Sequence, residues 1–175
     1  MKNYLKSAPA TLVLMVLCIG AWLATAIQGS SLSTPYYRSI LAQDWTLWGP
    51  EVSEHPTTVI TAGFMHLDVG HLLVNMVMLF FVGREVERAL GSALYVAAYL
   101  ISIVGSSAAV LWMDFGTPTV GASGALFALM GLLIGVYRSR GLDLRAPIVL
   151  VVANVIYSFV AENVSVWGHL GGLLT

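Results

Sequence analysis

Apolar stretches long enough to cross about 30 Å of hydrocarbon, roughly 20 residues each, recur along the chain between short polar breaks. Five run from Pro9 to Ile27, from Gly70 to Val82 with its flanks, from Ala93 to Met113, from Gly121 to Tyr137, and from Pro147 to Ala161. A sixth begins near Val166 and reaches Thr175 after about half a crossing, so an incomplete last helix is expected. The pattern predicts an all-α polytopic bundle, with residues 1–175 as one membrane domain and residues 28–69 as its one sizeable polar loop. Lys2, Lys6 and Ala24-Thr25-Ala26 also fit a cleaved signal peptide. The length of the first apolar run and the spans that follow it favour a retained helix.

Composition narrows the classes further. Of 175 residues, 58% are hydrophobic and 10% charged, and the mean hydropathy is +0.83, which excludes an ordinary soluble domain and a disordered chain. A formal net charge of −1 leaves no basic surface for nucleic acid. The single cysteine, Cys18, permits neither an intrachain disulfide nor a Cys-based zinc site. Lys2, Lys6, Arg84, Arg88, Arg138, Arg140 and Arg145 fall on one side of the predicted spans, and the acids Asp44, Glu51, Glu54, Asp68, Asp114 and Glu162 fall with Arg38 on the other. The first side is then cytoplasmic and holds the N-terminus. Tyr36, Tyr37, Trp45, Trp48, Trp112 and Trp167 suit the outer headgroup belt.

Polar side chains inside a bilayer are expensive and are functional candidates by default. Here His66, His71 and Asn75 sit at the outer end of the second span, Gly121-Ala122-Ser123-Gly124 opens the fourth, and Gly168-His169 opens the sixth. Counting 1.5 Å per residue upward from Arg138 and Arg84 as inner markers puts Ser123 about 22 Å and His71 about 20 Å above the inner boundary. Gly124, Ala128, Gly131 and Gly135 make a small face on the fourth span, and Gly168 and Gly172 make one on the sixth. Such faces let backbones approach and would bring Ser123 to His169. A serine hydroxyl needs a base, and imidazole is the usual one. The Ser123 backbone N–H, the His71 ring and the Asn75 amide are candidate donors to an oxyanion. Asp68, Asp114 and Glu162 read as solvated loop charges, so a dyad is expected. Asn154 and Tyr157, inside the fifth span, read as helix–helix hydrogen-bonding groups.

With Gly121-Ala122-Ser123-Gly124, His169 at the start of the last span, His66-x4-His71-x3-Asn75 and Gly83-x3-Glu87-x3-Gly91, the chain resembles the bacterial-type rhomboid family of intramembrane serine proteases over roughly His66 to Gly172. The resemblance implies a six-helix core in a bacterial inner membrane and hydrolysis of transmembrane protein substrates without metal or cofactor. It implies Ser123 as nucleophile, His169 as base, and His71 and Asn75 as oxyanion contributors. His66 would be structural in the outer loop, while Gly121, Gly124 and Phe127 would support the site. Two departures stand out. Thr57 and Thr58 occupy the outer-loop position of a Trp-Arg pair, and Phe127 replaces a tyrosine beneath the histidine. Two other readings fit parts of the sequence: a non-catalytic rhomboid-like protein that binds membrane clients, and a metal site of His66, His71 and His169 with His55 nearby. The second lacks any H-E-x-x-H or carboxylate support.

Overall fold

The computed structural model describes residues 7–32, 35–161 and 164–175; Lys2, Lys6 and Glu162, used above for orientation, lie outside them. Among the described residues the structure is helical, with no strand beyond an isolated bridge between Leu47 and Thr119. The helices are α1 (Pro9–Gln28), α2 (Ile40–Asp44), α3 (Thr58–Thr61), α4 (Val69–Met78), α5 (Arg84–Leu90), α6 (Ser92–Met113), α7 (Ser123–Ser139), α8 (Arg145–Val160) and α9 (Val166–Leu174). A π-helical turn at Leu79–Gly83 joins α4 to α5, giving one continuous helix, Val69–Leu90. Pro9–Gln28, Val69–Leu90 and Ser92–Met113 are long and apolar enough to cross a membrane, and α7 and α8 are shorter apolar helices. Their outer faces leave Leu17, Val74, Phe81, Ile101, Val152 and Phe159 exposed. That surface suits a protein whose solvent is hydrocarbon.

The expected spans agree with the helices except at the second. That helix runs on to Leu90, so Arg84 lies within it and does not mark its inner end, and the depth derived for His71 loses its reference. The continuation has a specific cause. The buried carboxylate of Glu87 accepts the Ala10 amide at 2.9 Å and the Thr11 amide at 2.8 Å, two first-turn N–H groups of α1 that have no partner within their own helix. It also takes the hydroxyls of Thr11 at 2.7 Å and Ser92 at 2.6 Å. Glu87 therefore caps a helix far away in sequence, in a geometry that charge assistance strengthens. Gly83 and Gly91 frame it. A Cβ on Gly83 would stand 2.7 Å from the Tyr95 hydroxyl, and Gly91 holds φ +78°, where glycine ends helices without steric penalty.

α7 is the central helix. From Gly124 to Met130 it is buried without interruption, and α9 packs into the groove between it and α6. In contrast, α8 buries only Pro147 and Ser158. The outer loop is pinned to the segment ahead of α7: Leu47 and Thr119 exchange backbone hydrogen bonds at 3.1 and 2.9 Å, and the Trp48 indole donates to the Gly116 carbonyl at 3.0 Å. Where the Trp-Arg pair was missed, Thr58 is buried and its hydroxyl donates to the His55 carbonyl at 2.7 Å. Ser107 of α6 donates to the Val59 carbonyl at 2.8 Å. Helix α3 is thereby fastened to α6 through backbone acceptors.

Candidate active site

Ser123 is the first residue of α7, and its N–H therefore has no intrahelical acceptor. The turn that delivers it depends on Gly121, whose φ of +130° is a left-handed value that side chains rarely tolerate. The Gly121 amide is tied to the Ala62 carbonyl at 2.9 Å. A Cβ on Gly121 would stand 2.9 Å from both Cε1 and Nε2 of His71 and 3.5 Å from the Ser123 hydroxyl. The His71 ring edge and the Ser123 hydroxyl thus flank one glycine.

His71 sits in the first turn of α4. Asp68, read from sequence as a solvated loop charge, is exposed and is also the N-cap of that helix, accepting the His71 amide at 2.9 Å. Such a cap is typically worth about 1 kcal/mol. The ring Nδ1 accepts the Leu67 amide at 3.4 Å, a long bond. A nitrogen that accepts carries no proton, so the neutral ring carries its proton on Nε2, which is a donor on the Gly121 side. One turn on, Asn75 is buried and its Nδ2 donates to the His71 carbonyl at 2.8 Å. The second N–H of that amide remains for another acceptor.

His169 comes from α9, whose first turn is capped by Ser165 accepting from the Gly168 amide at 3.1 Å. Backbone contact between α7 and α9 sets its place. A Cβ on Gly124 would lie 3.2 Å from the Gly168 carbonyl oxygen, and one on Gly172 would run into the Gly124 backbone. The small faces therefore meet at Gly124 as expected, but not along their whole length, since nothing lies within 4 Å of a Cβ on Gly135. Phe127, one turn below Ser123 on the same face, stacks on the His169 ring with centroids 4.2 Å apart and planes at 18°. The far side of the imidazole is held by α8, where the Ser158 hydroxyl stands 2.7 Å from His169 Nδ1. Sequence reading passed over Ser158; its signal was the i, i+4 pairing with Asn154 on one face of the fifth span.

These groups line one cavity of about 440 Å³, formed in part by His71, Asn75, Ser123, Gly124, Phe127 and His169, a size within the usual range for ligand pockets. Tyr37 of the outer loop and Asn154 and Tyr157 of α8 complete its rim. Asn154 donates its amide to the Leu150 carbonyl of its own helix at 2.8 Å, so the expected bond to a neighbouring helix is not the one formed. Among the described residues no hydrogen bond occupies the Ser123 hydroxyl. His66 stays behind the cavity. It is wholly buried, edge-on to His71 at 5.0 Å between ring centroids. Burial and, to a lesser extent, the neighbouring His71 push its pKa down to about 3. His55 is exposed in the loop. No group of three His, Cys, Asp or Glu among the described residues is placed to hold a metal ion.

Comparison with known proteins gives the same direction. Residues 53–175 match the rhomboid domain family model. The chain is 35% identical over 122 residues to "Rhomboid protease GluP" of Bacillus subtilis (strain 168), covering 66% of this chain and 24% of that protein. It is 30% identical over 147 residues to "Rhomboid protease GlpG" of Enterobacter sp. (strain 638), covering 78% and 50%. With "RHOMBOID-like protein 4" of Arabidopsis thaliana it shares 32% over 124 residues, or 67% and 31%. The chain thus spans about a quarter to a half of the length of these relatives. A domain match over most of the sequence, joined to a helical bundle of the kind the motif spacing predicts, leaves one assignment: the chain belongs to the rhomboid family of membrane proteins.

Proposed function

We propose that the chain is an intramembrane serine endopeptidase that hydrolyses peptide bonds in or beside transmembrane segments of other membrane proteins, with Ser123 as nucleophile and His169 as general base. The observation that carries this reading is a single cavity lined by an unoccupied serine hydroxyl, the stacked His169 ring and the donor edge of His71. In the first step Ser123 Oγ bonds to the scissile carbonyl carbon while its proton passes to His169. The charge that gathers on the carbonyl oxygen meets the Ser123 N–H, the His71 Nε2–H and the free Asn75 N–H, and loss of one such donor typically costs about 10²–10³ in rate. The C–N bond then breaks, and the imidazolium returns its proton to the leaving amine. Water, deprotonated in turn by His169, releases the acyl group from Ser123.

Both the GluP and GlpG relatives bear the name rhomboid protease, which supports the chemistry. In this reading the Ser123 end of the bundle faces outward, with the N-terminus cytoplasmic and a bacterial inner membrane as host. Arg138 in the last turn of α7, Arg140 in the connection and Arg145 at the start of α8 gather at the end of α7 far from Ser123, in support of that orientation. The test is labelling by a fluorophosphonate serine-hydrolase probe in liposomes, together with cleavage of a transmembrane reporter. Both are expected to vanish in Ser123→Ala and His169→Ala. Undiminished labelling of Ser123→Ala refutes the assignment, and a folded wild type that neither labels nor cleaves points to a client-binding protein.

A further inference from the structure

We propose that Ser158 is a positioning residue which holds the proton of His169 on Nδ1 and so keeps Nε2 free to act as the base. The proposal rests on the reading of Ser123 and His169 given above and extends it to a residue on a third helix. Ser158 is 3% exposed, one of the few buried points on α8. Its Oγ has two neighbours: the Asn154 carbonyl oxygen at 2.8 Å and His169 Nδ1 at 2.7 Å.

A hydroxyl has one hydrogen to give. A carbonyl oxygen can only accept, so the bond to Asn154 uses that hydrogen, in the back-bonding arrangement common for serine on helices. Toward His169 the Ser158 oxygen then offers only a lone pair. The 2.7 Å contact is a hydrogen bond only when Nδ1 supplies the proton. A neutral imidazole has one proton to place, so Nε2 keeps its lone pair. That is the tautomer a base needs in order to take the proton of Ser123. The opposite arrangement, in which Ser158 donates to Nδ1, would put the ring proton on Nε2 and block the transfer.

Two further contacts keep the arrangement in place. The Asn154 side-chain amide is already engaged with the Leu150 carbonyl at 2.8 Å and does not compete for the hydroxyl. Stacking on Phe127 holds the ring plane, and the Ser158 contact fixes which edge carries Nδ1. Ser158 thus does for orientation what a buried acid does in a triad, with a neutral group that carries no desolvation cost of charge.

The experiment is 15N NMR of the full chain with 15N-labelled histidine in detergent micelles near neutral pH. The His169 signals are assigned by their absence in His169→Gln. Wild type is expected to show a protonated Nδ1 and an unprotonated Nε2. Ser158→Ala is expected to shift that population toward Nε2–H and to slow fluorophosphonate labelling by about tenfold or more, since a wrong tautomer alone disables a catalytic histidine. Ser158→Thr, which keeps the hydroxyl, is expected to restore both. A wild-type ring protonated on Nε2 overturns the proposal whether or not the chain is a protease, and so does a folded Ser158→Ala with unchanged tautomer and rate. If Ser158→Ala does not fold, wild type and Ser158→Thr decide the matter. Failure of the protease reading shows separately, as labelling that survives Ser123→Ala.

Discussion

Replacing Gly172 by alanine tests the packing that brings Ser123 and His169 together. The added methyl would run into the Gly124 backbone across the α7–α9 contact. No side chain can rotate out of its way, so α9 must retreat by about 1 Å, and overpacking of this kind costs about 1–3 kcal/mol. Alanine recovers up to about 1 kcal/mol of that through helix propensity. The net expectation is a loss of about 1–2 kcal/mol in stability. The functional loss is larger, because a displacement of about 1 Å at reacting groups can cost about 10²-fold in rate. Gly135→Ala is the control on the facing helix. Nothing lies within 4 Å of its methyl, so it is expected to gain about 0.5–1 kcal/mol and to label normally. Gly131→Ala meets the flexible end of Leu173 at 3.3 Å and its carbonyl oxygen at an ordinary 3.9 Å, and is expected to fall between them. The assay is fluorophosphonate labelling rate alongside thermal unfolding in detergent. Wild-type labelling and stability in Gly172→Ala, or equal damage from Gly135→Ala, would refute the reasoning.

Other substitutions carry equally definite outcomes. Glu87→Ala strips the acceptor from the Ala10 and Thr11 amides and from two hydroxyls and is expected to destabilise the bundle by about 3 kcal/mol, read as thermal unfolding in detergent. Gly121→Ala forces an unfavourable φ and drives a methyl into the His71 ring; labelling is expected to fall by about 10²-fold or more while the fold survives. His66 has a folded pKa near 3 against an ordinary value of 6.5. The unfolded chain therefore binds the extra proton first, so stability present above pH 6.5 is lost as pH falls toward 3. At pH 5 the loss is about 2 kcal/mol. The pH dependence of the unfolding temperature in His66→Gln is expected to be flatter than in wild type by that amount, and an unchanged profile would count against the buried, neutral ring.

What the sequence conveyed and what it withheld follow from the range of each interaction. Ser123, His169, His71 and Asn75 stand out in the sequence as polar groups in apolar runs, and the structure gathers the four around one cavity. Phe127 under His169 was expected from the family resemblance alone, since an apolar ring in an apolar run has nothing to single it out. Ser158 was passed over, since its partner lies on the next helix and its local mark, the i, i+4 spacing from Asn154, reads equally as back-bonding within one helix. Asp68 is exposed, as its reading as a loop charge has it, but its capping role stayed hidden because a cap and a solvated loop acid look alike until the helix start is known. Arg84 misplaced the end of the second span, since charge near a helix end gives no sign of a distant acceptor such as the one Glu87 provides to α1. The small face on the fourth span was extended to Gly135 because four-residue spacing sets a direction along a helix and says nothing of how far its neighbour follows.

The bond from Glu87 to the first turn of α1 also has a bearing on biosynthesis. Thr11 and its acceptor are 76 positions apart. At ribosomal rates of about 5–20 residues per second, α1 leaves the exit tunnel some 4–15 s ahead of the carboxylate that completes its first turn. During that interval its leading amides depend on interfacial water or on the insertion machinery. The helix is made early and docked late, and the Glu87 end of the bundle closes only after the second span and the start of the third have been made.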